Sequence, residues 1–192
     1  MSTETMRAQP SVFARWLRAT TLGWLLGFVL VVILALAWNI IGGGAQFMVG
    51  LGMGAGVGYV QTRVVGEWVE STRRWLLASI IGMGVPFLMW DLGALIGVGA
   101  FFSLPVCVIA GGLFVGILQC SLLRPRLDRA SFWIPACVVG WGLPAGAIAL
   151  GDSDLLPAPA FLLSLGAMLL GGVILGAVTG KALVWMPRRS AA

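Results

Sequence analysis

Few residues in this chain are equipped to do chemistry. Asp91 and the pair Asp152 and Asp154 stand in otherwise apolar stretches, and paired carboxylates are common equipment for general acid–base work. Nothing else joins them. The three cysteines, Cys107, Cys120 and Cys137, form no Cys-x-x-Cys pair and read as free thiols serving as small apolar residues. There is no histidine anywhere. That removes the commonest ligand for zinc, copper and haem, and the base of a Ser–His or Cys–His nucleophile. No catalytic residue, no cofactor and no metal site is therefore expected. The remaining polar candidates are Gln61, Gln119 and Thr179, each three residues beyond a pair of glycines: Gly54 and Gly58, Gly112 and Gly116, Gly172 and Gly176.

The elements that carry these residues belong to a membrane. Of 192 residues, 59% are hydrophobic and 10% charged, where a water-soluble domain carries about a quarter charged. No charge falls between Arg18 and Arg63, and Asp91 is the single charge from Trp75 to Leu123. Ala130–Gly151 and Leu155–Gly180 are free of charge as well. Runs of this length hold spans of roughly 20 residues each. The turn signals at 39–44, 90–93 and 151–159 divide them into six, expected at 16–38, 45–65, 74–92, 98–123, 131–150 and 159–186. Residues 1–15 and 187–192 remain as terminal segments.

The net charge of +5 is a matter of topology. Every Lys and Arg lies in the N-terminal segment, in the loops holding Arg63, Arg73 and Arg74 or Arg124, Arg126 and Arg129, or near the C-terminus. The other three turns hold Asp91, Asp152 and Asp154. The positive-inside rule then places both termini in the cytoplasm of a bacterial inner membrane, with basic residues beside anionic lipid and no nucleic-acid partner. A signal peptide is not expected, because the apolar run at 19–37 exceeds a signal core of about 7–15 residues.

The glutamine stretches repeat. Gly54, Gly58, Gln61, Trp75, Gly82, Gly84 and Pro86 match Gly112, Gly116, Gln119, Trp133, Gly140, Gly142 and Pro144 at a constant offset of 58 residues. Trp16 and Gly23 keep the Trp-x6-Gly spacing upstream. Downstream, Gly172 and Gly176 keep the glycine pair, with Thr179 replacing the glutamine. The unit is a helical hairpin occurring three times, about 16–65, 74–123 and 131–186, all entering from the same side. The expected fold is an all-α integral membrane protein of six transmembrane helices, with the glycine-rich even helices central.

In lipid, small residues let helix backbones approach and polar side chains bond across them. Gln61, Gln119 and Thr179 fall at one depth, where an unsatisfied group costs several kcal/mol. They form either a hydrogen-bonded clamp between helices or a polar constriction for a solute. Arg63 and Lys181 are expected to snorkel to headgroups, and Pro86 and Pro144 to kink their helices. Trp16, Trp75, Trp133, Trp38, Trp90, Trp68 and Trp185 read as an interfacial aromatic belt. Trp24 and Trp141 lie too deep for that belt.

The signature Gly-x-x-x-Gly-x-x-Gln followed by Trp-x6-Gly, over residues 16–185, resembles multipass proteins of bacterial membranes with similar repeats. The resemblance implies the hairpin fold and carries no activity across. Tiny loops and the lack of catalytic residues favour a non-catalytic accessory or assembly subunit of a membrane complex, able to contact other membrane proteins or copies of itself. The alternative is a transporter or channel component for a small solute. A lipid-directed enzyme using the aspartates ranks behind both.

Overall fold

A computed structural model describes residues 11–41, 45–151 and 160–189. The chain is all-helical there, with α1 at Val12–Ile41, α2 at Phe47–Val65, α3 at Thr72–Leu95, α4 at Leu104–Leu123, α5 at Trp133–Gly151 and α6 at Ala160–Trp185. Short 3-10 turns at Gly99–Phe101 and Ala130–Phe132 precede α4 and α5. The fourth helix begins later than the expected residue 98. Gly97 takes a positive φ of 81°, Ser103 is extended, and Pro105 occupies the first turn, where a missing N–H costs nothing.

Five helices are long and apolar enough to cross a membrane. α2 falls short in composition, because five of its residues are glycine and it carries Gln61 and Arg63. The polarity is inverted relative to a water-soluble bundle. Leu22, Val29, Val32, Ile33 and Leu36 of α1 face outward, as do Leu77, Ile81 and Met89 of α3, whereas Thr20, Gln61, Ser79, Gln119 and Thr179 are buried. Large exposed aliphatic faces with a polar interior suit hydrocarbon as the surrounding solvent.

The helices form a closed ring. Each packs on its neighbours in the chain, and α6 closes against α1. The expected placement of the even helices at the centre is thereby corrected. No even helix forms a comparable interface with another even helix among the described residues. The physical reason is where the glycine faces point. A Cβ on Gly54 would stand 2.5 Å from the carbonyl oxygen of Ser79, and one on Gly58 2.6 Å from Ser79 Cβ, so this face lies against α3. Gly112 and Gly116 meet Cys137, Trp141 and Ile134 of α5. Gly172 and Gly176 meet Thr21, Trp24, Leu17 and Thr20 of α1. Each close-packing strip is used up on an odd helix, which leaves even helices no small-residue face for one another.

The two ends of the ring are built differently. At the end carrying Asp91, that carboxylate accepts from the backbone N–H groups of Gln46 (2.9 Å) and Phe47 (2.8 Å) at the start of α2. This is a capping role borrowed from a neighbouring helix. At the basic end, Glu67 in the α2–α3 loop accepts from Arg15 (2.8 Å) and Arg188 (3.3 Å), and its carbonyl accepts from Arg126. The segment after α6 is strapped to the α4–α5 loop by Asp128 N–H to Pro187 O (2.9 Å) and by an Arg189–Asp128 ion pair at 2.9 Å. Arg63, expected to snorkel, is exposed. Its guanidinium turns along its own helix to the ring and hydroxyl of Tyr59. The segment 1–10, the turn at 42–44 and residues 152–159, with Asp152 and Asp154, lie outside the described residues.

Candidate functional site: a closed polar layer beneath an apolar cavity

The interior of the ring is a stack of layers, with three residues at matching sequence positions in each. Nearest the basic end lie Trp16, Trp75 and Trp133, all essentially without exposure. Their ring centroids are 6.0, 5.6 and 5.7 Å apart, in edge-on and tilted arrangements that suit aromatic quadrupoles. The aromatic belt is therefore corrected for these three, and for Trp68, which is also buried. Trp38 and Trp185 are exposed. A tryptophan at the start of a helix serves an interface or a core equally well. Here the ring closes over all three.

The next layer holds the polar residues. Trp75 Nε1 donates to Gln61 Oε1 (3.1 Å), Trp133 Nε1 to Gln119 Oε1 (2.9 Å), and Trp16 Nε1 to Thr179 Oγ1 (2.9 Å). The same bond thus recurs between α2 and α3, α4 and α5, and α6 and α1. Gln61 Nε2 then donates to Thr20 Oγ1 (3.1 Å) and Gln119 Nε2 to Ser79 Oγ (2.9 Å). Each glutamine therefore ties its own helix to the one before and the one after. Thr179 is shorter and hands its proton to the carbonyl of Leu175 instead (2.6 Å). At the position on α5 matching Thr20 and Ser79 stands Cys137, a weak hydrogen-bonding group. Where the bridging amide is absent, its acceptor is absent too.

Thr20 and Ser79 were passed over in the sequence. Their signal was their place four residues after Trp16 and Trp75, on the same helical face.

No hydrogen bond joins Gln61, Gln119 and Thr179 to one another. They face a common space of about 10 Å³, also bounded by Val57, Val115 and Leu175. That is at the lower limit for a single water, roughly 10–15 Å³. Every buried side-chain nitrogen and oxygen among the described residues has a hydrogen-bond partner. The layer is satisfied and shut. Gly23, Gly82 and Gly140 let Val57, Val115 and Leu175 press in from the even helices, which completes the seal.

Beyond this seal the ring encloses a cavity. Trp24 and Trp141, with ring centroids 5.3 Å apart, and Met83 form the floor of an apolar cavity of about 250 Å³. Its lining comes from α1 to α5 and includes Phe28, Val31, Val49, Met53, Phe87, Leu104, Val108 and Pro144. The depth of Trp24 and Trp141, unexplained by a belt, follows from this role. Trp24 Nε1 is satisfied by the carbonyl of Met168 (2.8 Å), so its indole presents only an apolar face to the cavity. α3 and α5 run as helices through Pro86 and Pro144, and Pro144 reaches the cavity wall.

Among the described residues, no reacting constellation accompanies the cavity. Asp91 is occupied as a helix cap, and no group of three His, Cys, Asp or Glu among the described residues is placed to hold a metal. No protein-family model, no curated protein and no solved structure matches the chain.

Proposed function

We propose that the chain is a non-catalytic accessory or assembly subunit of a complex in a bacterial inner membrane. All six helices cross the bilayer, the basic end and both termini face the cytoplasm, and the ring is three parallel hairpin repeats. α2 counts as a span because it lies along α1 and α3, both apolar enough to cross. The cytoplasmic placement of the basic end follows from the concentration of Lys and Arg there.

One observation carries the functional reading. Among the described residues, the buried polar side chains are all committed to bonds between or within helices, which leaves none of them to move a solute or a proton. What remains to offer a membrane is a rigid ring with a lipid-exposed outer wall, suited to contact other spanning proteins. Mild extraction from the native membrane followed by native mass spectrometry tests this. Partner proteins in fixed ratio are the expected result, and a chain recovered alone overturns it.

The second reading, a transporter or channel component, draws on the cavity. It requires the Gln61–Gln119–Thr179 layer to open. Replacing Gln61 and Gln119 by leucine distinguishes the two: an accessory role survives in proportion to retained folding, while transport is lost even in the folded variant.

A further inference from the structure

We infer that the cavity at the Asp91 end of the ring is a binding site for a single hydrocarbon chain of a membrane lipid. The inference stands apart from the accessory reading and needs no partner protein. It begins with the residues that create the space. Phe28, Phe87 and Ala145 occupy matching positions on α1, α3 and α5, at the spacings that relate Trp16, Trp75 and Trp133. Two corners of the ring are filled by a phenyl ring and the third by a methyl group, and all three residues line the cavity. The space is the place of an absent aromatic side chain.

The wall chemistry then selects the ligand. Every lining residue is apolar, so no headgroup, charge or hydroxyl would find a partner inside. An apolar cavity of 150 Å³ stays dry and admits benzene, so about 250 Å³ holds about ten carbons. That matches the terminal part of an acyl chain whose headgroup stays outside. An empty apolar cavity destabilises in proportion to its volume, which favours filling it. Lipid chains are also the most concentrated apolar species around the helices, so mass action selects them over a scarce free molecule.

Photolabelling tests the site. The full chain is reconstituted in phosphatidylcholine vesicles containing phosphatidylcholine with a diazirine near the end of one acyl chain, irradiated and mapped by peptide mass spectrometry. Adducts are expected at Met83, Phe87 and Ala145, as well as at lipid-facing Val29 and Met89. Ala145→Phe should cut cavity labelling at least tenfold and leave Val29 and Met89 labelling unchanged, which also reports that the ring has folded. Ala145→Leu serves if the larger ring does not fold, and Phe87→Ala should raise cavity labelling. Labelling confined to Val29 and Met89, or undiminished in the filled variants, overturns the site. Labelling of the cavity by a free ten-carbon diazirine alcohol but not by the lipid overturns the lipid as occupant.

Discussion

Gln119 does two jobs with one amide. Its oxygen accepts from Trp133 on the following helix and its nitrogen donates to Ser79 on the preceding one. Leucine at this position would fit the apolar surroundings but leave the indole N–H of Trp133 without an acceptor. Ser79 loses less, because its hydroxyl already donates to the carbonyl of Trp75. The cost of Gln119→Leu should be about 1–2 kcal/mol, since an orphaned buried donor costs more than a bond contributes. Such bonds in membranes are worth less than in simple models. Trp133→Phe removes the donor, so the two substitutions should be non-additive by about 0.5–1.5 kcal/mol. Unfolding of the two single variants and the double in mixed micelles measures this. Additive single effects would show that the layer is not energetically coupled.

At the scale of the helix, glycines inside the same kind of apolar span behave differently. Gly54 is pressed on the backbone of α3, whereas Gly146 has open space where a Cβ would stand. Gly54→Ala should therefore cost about 1–3 kcal/mol through forced separation of α2 and α3. Gly146→Ala should be neutral or stabilise by up to about 1 kcal/mol, since alanine is the better helix former. Thermal unfolding of both variants in one detergent checks the contrast, and equal effects would sink it.

The same contrast explains what the sequence could reveal. Charge-free runs and turn residues located the helices, and the Gly-x3-Gly strips identified faces in close contact. A glycine strip does not say which helix it meets, so the ring order had to come from the packing. Tryptophan suits an interface or a core, so the burial of Trp16, Trp75 and Trp133 was not legible either. The polar layer was half legible. Gln61, Gln119 and Thr179 stood out as polar in apolar runs, but Thr20 and Ser79 are ordinary helix residues until a neighbour brings an amide to them. The cavity depends on Ala145 lacking a ring that Phe28 and Phe87 possess, and an alanine in an apolar helix signals nothing alone.

Across the whole molecule, the three junctions that carry the layer are alike but not equal. Two have a glutamine bridging three helices, while the junction of α6 with α1 has Thr179, which reaches Trp16 and turns back to its own backbone. At this layer the α5–α6 contact therefore lacks the side-chain bridge that Gln61 gives α1–α2 and Gln119 gives α3–α4. α5 and α6 are joined instead by Ser164 Oγ donating to the carbonyl of Ile148 (3.2 Å), farther along the ring. Glu67 ties the basic end across the α6–α1 junction through Arg15 and Arg188. Those pairs are about half exposed, and exposed pairs contribute about 0–1 kcal/mol. Restoring the missing bridge is the more telling experiment. Thr179→Gln alone should destabilise, because its amide would face the weak acceptor Cys137 and leave N–H groups unpaired in a dry layer. Cys137→Ser alone should be close to neutral, its hydroxyl able to turn to the carbonyl four residues back as Ser79 does. The two together should form the third bridge and melt about 2–4 °C above Thr179→Gln, as a change near 1 kcal/mol does in a chain of this size. A double variant no more stable than Thr179→Gln would mean that the α5–α6 contact at this layer is set by packing alone. The likeness of the three junctions would then be one of sequence and not of energy.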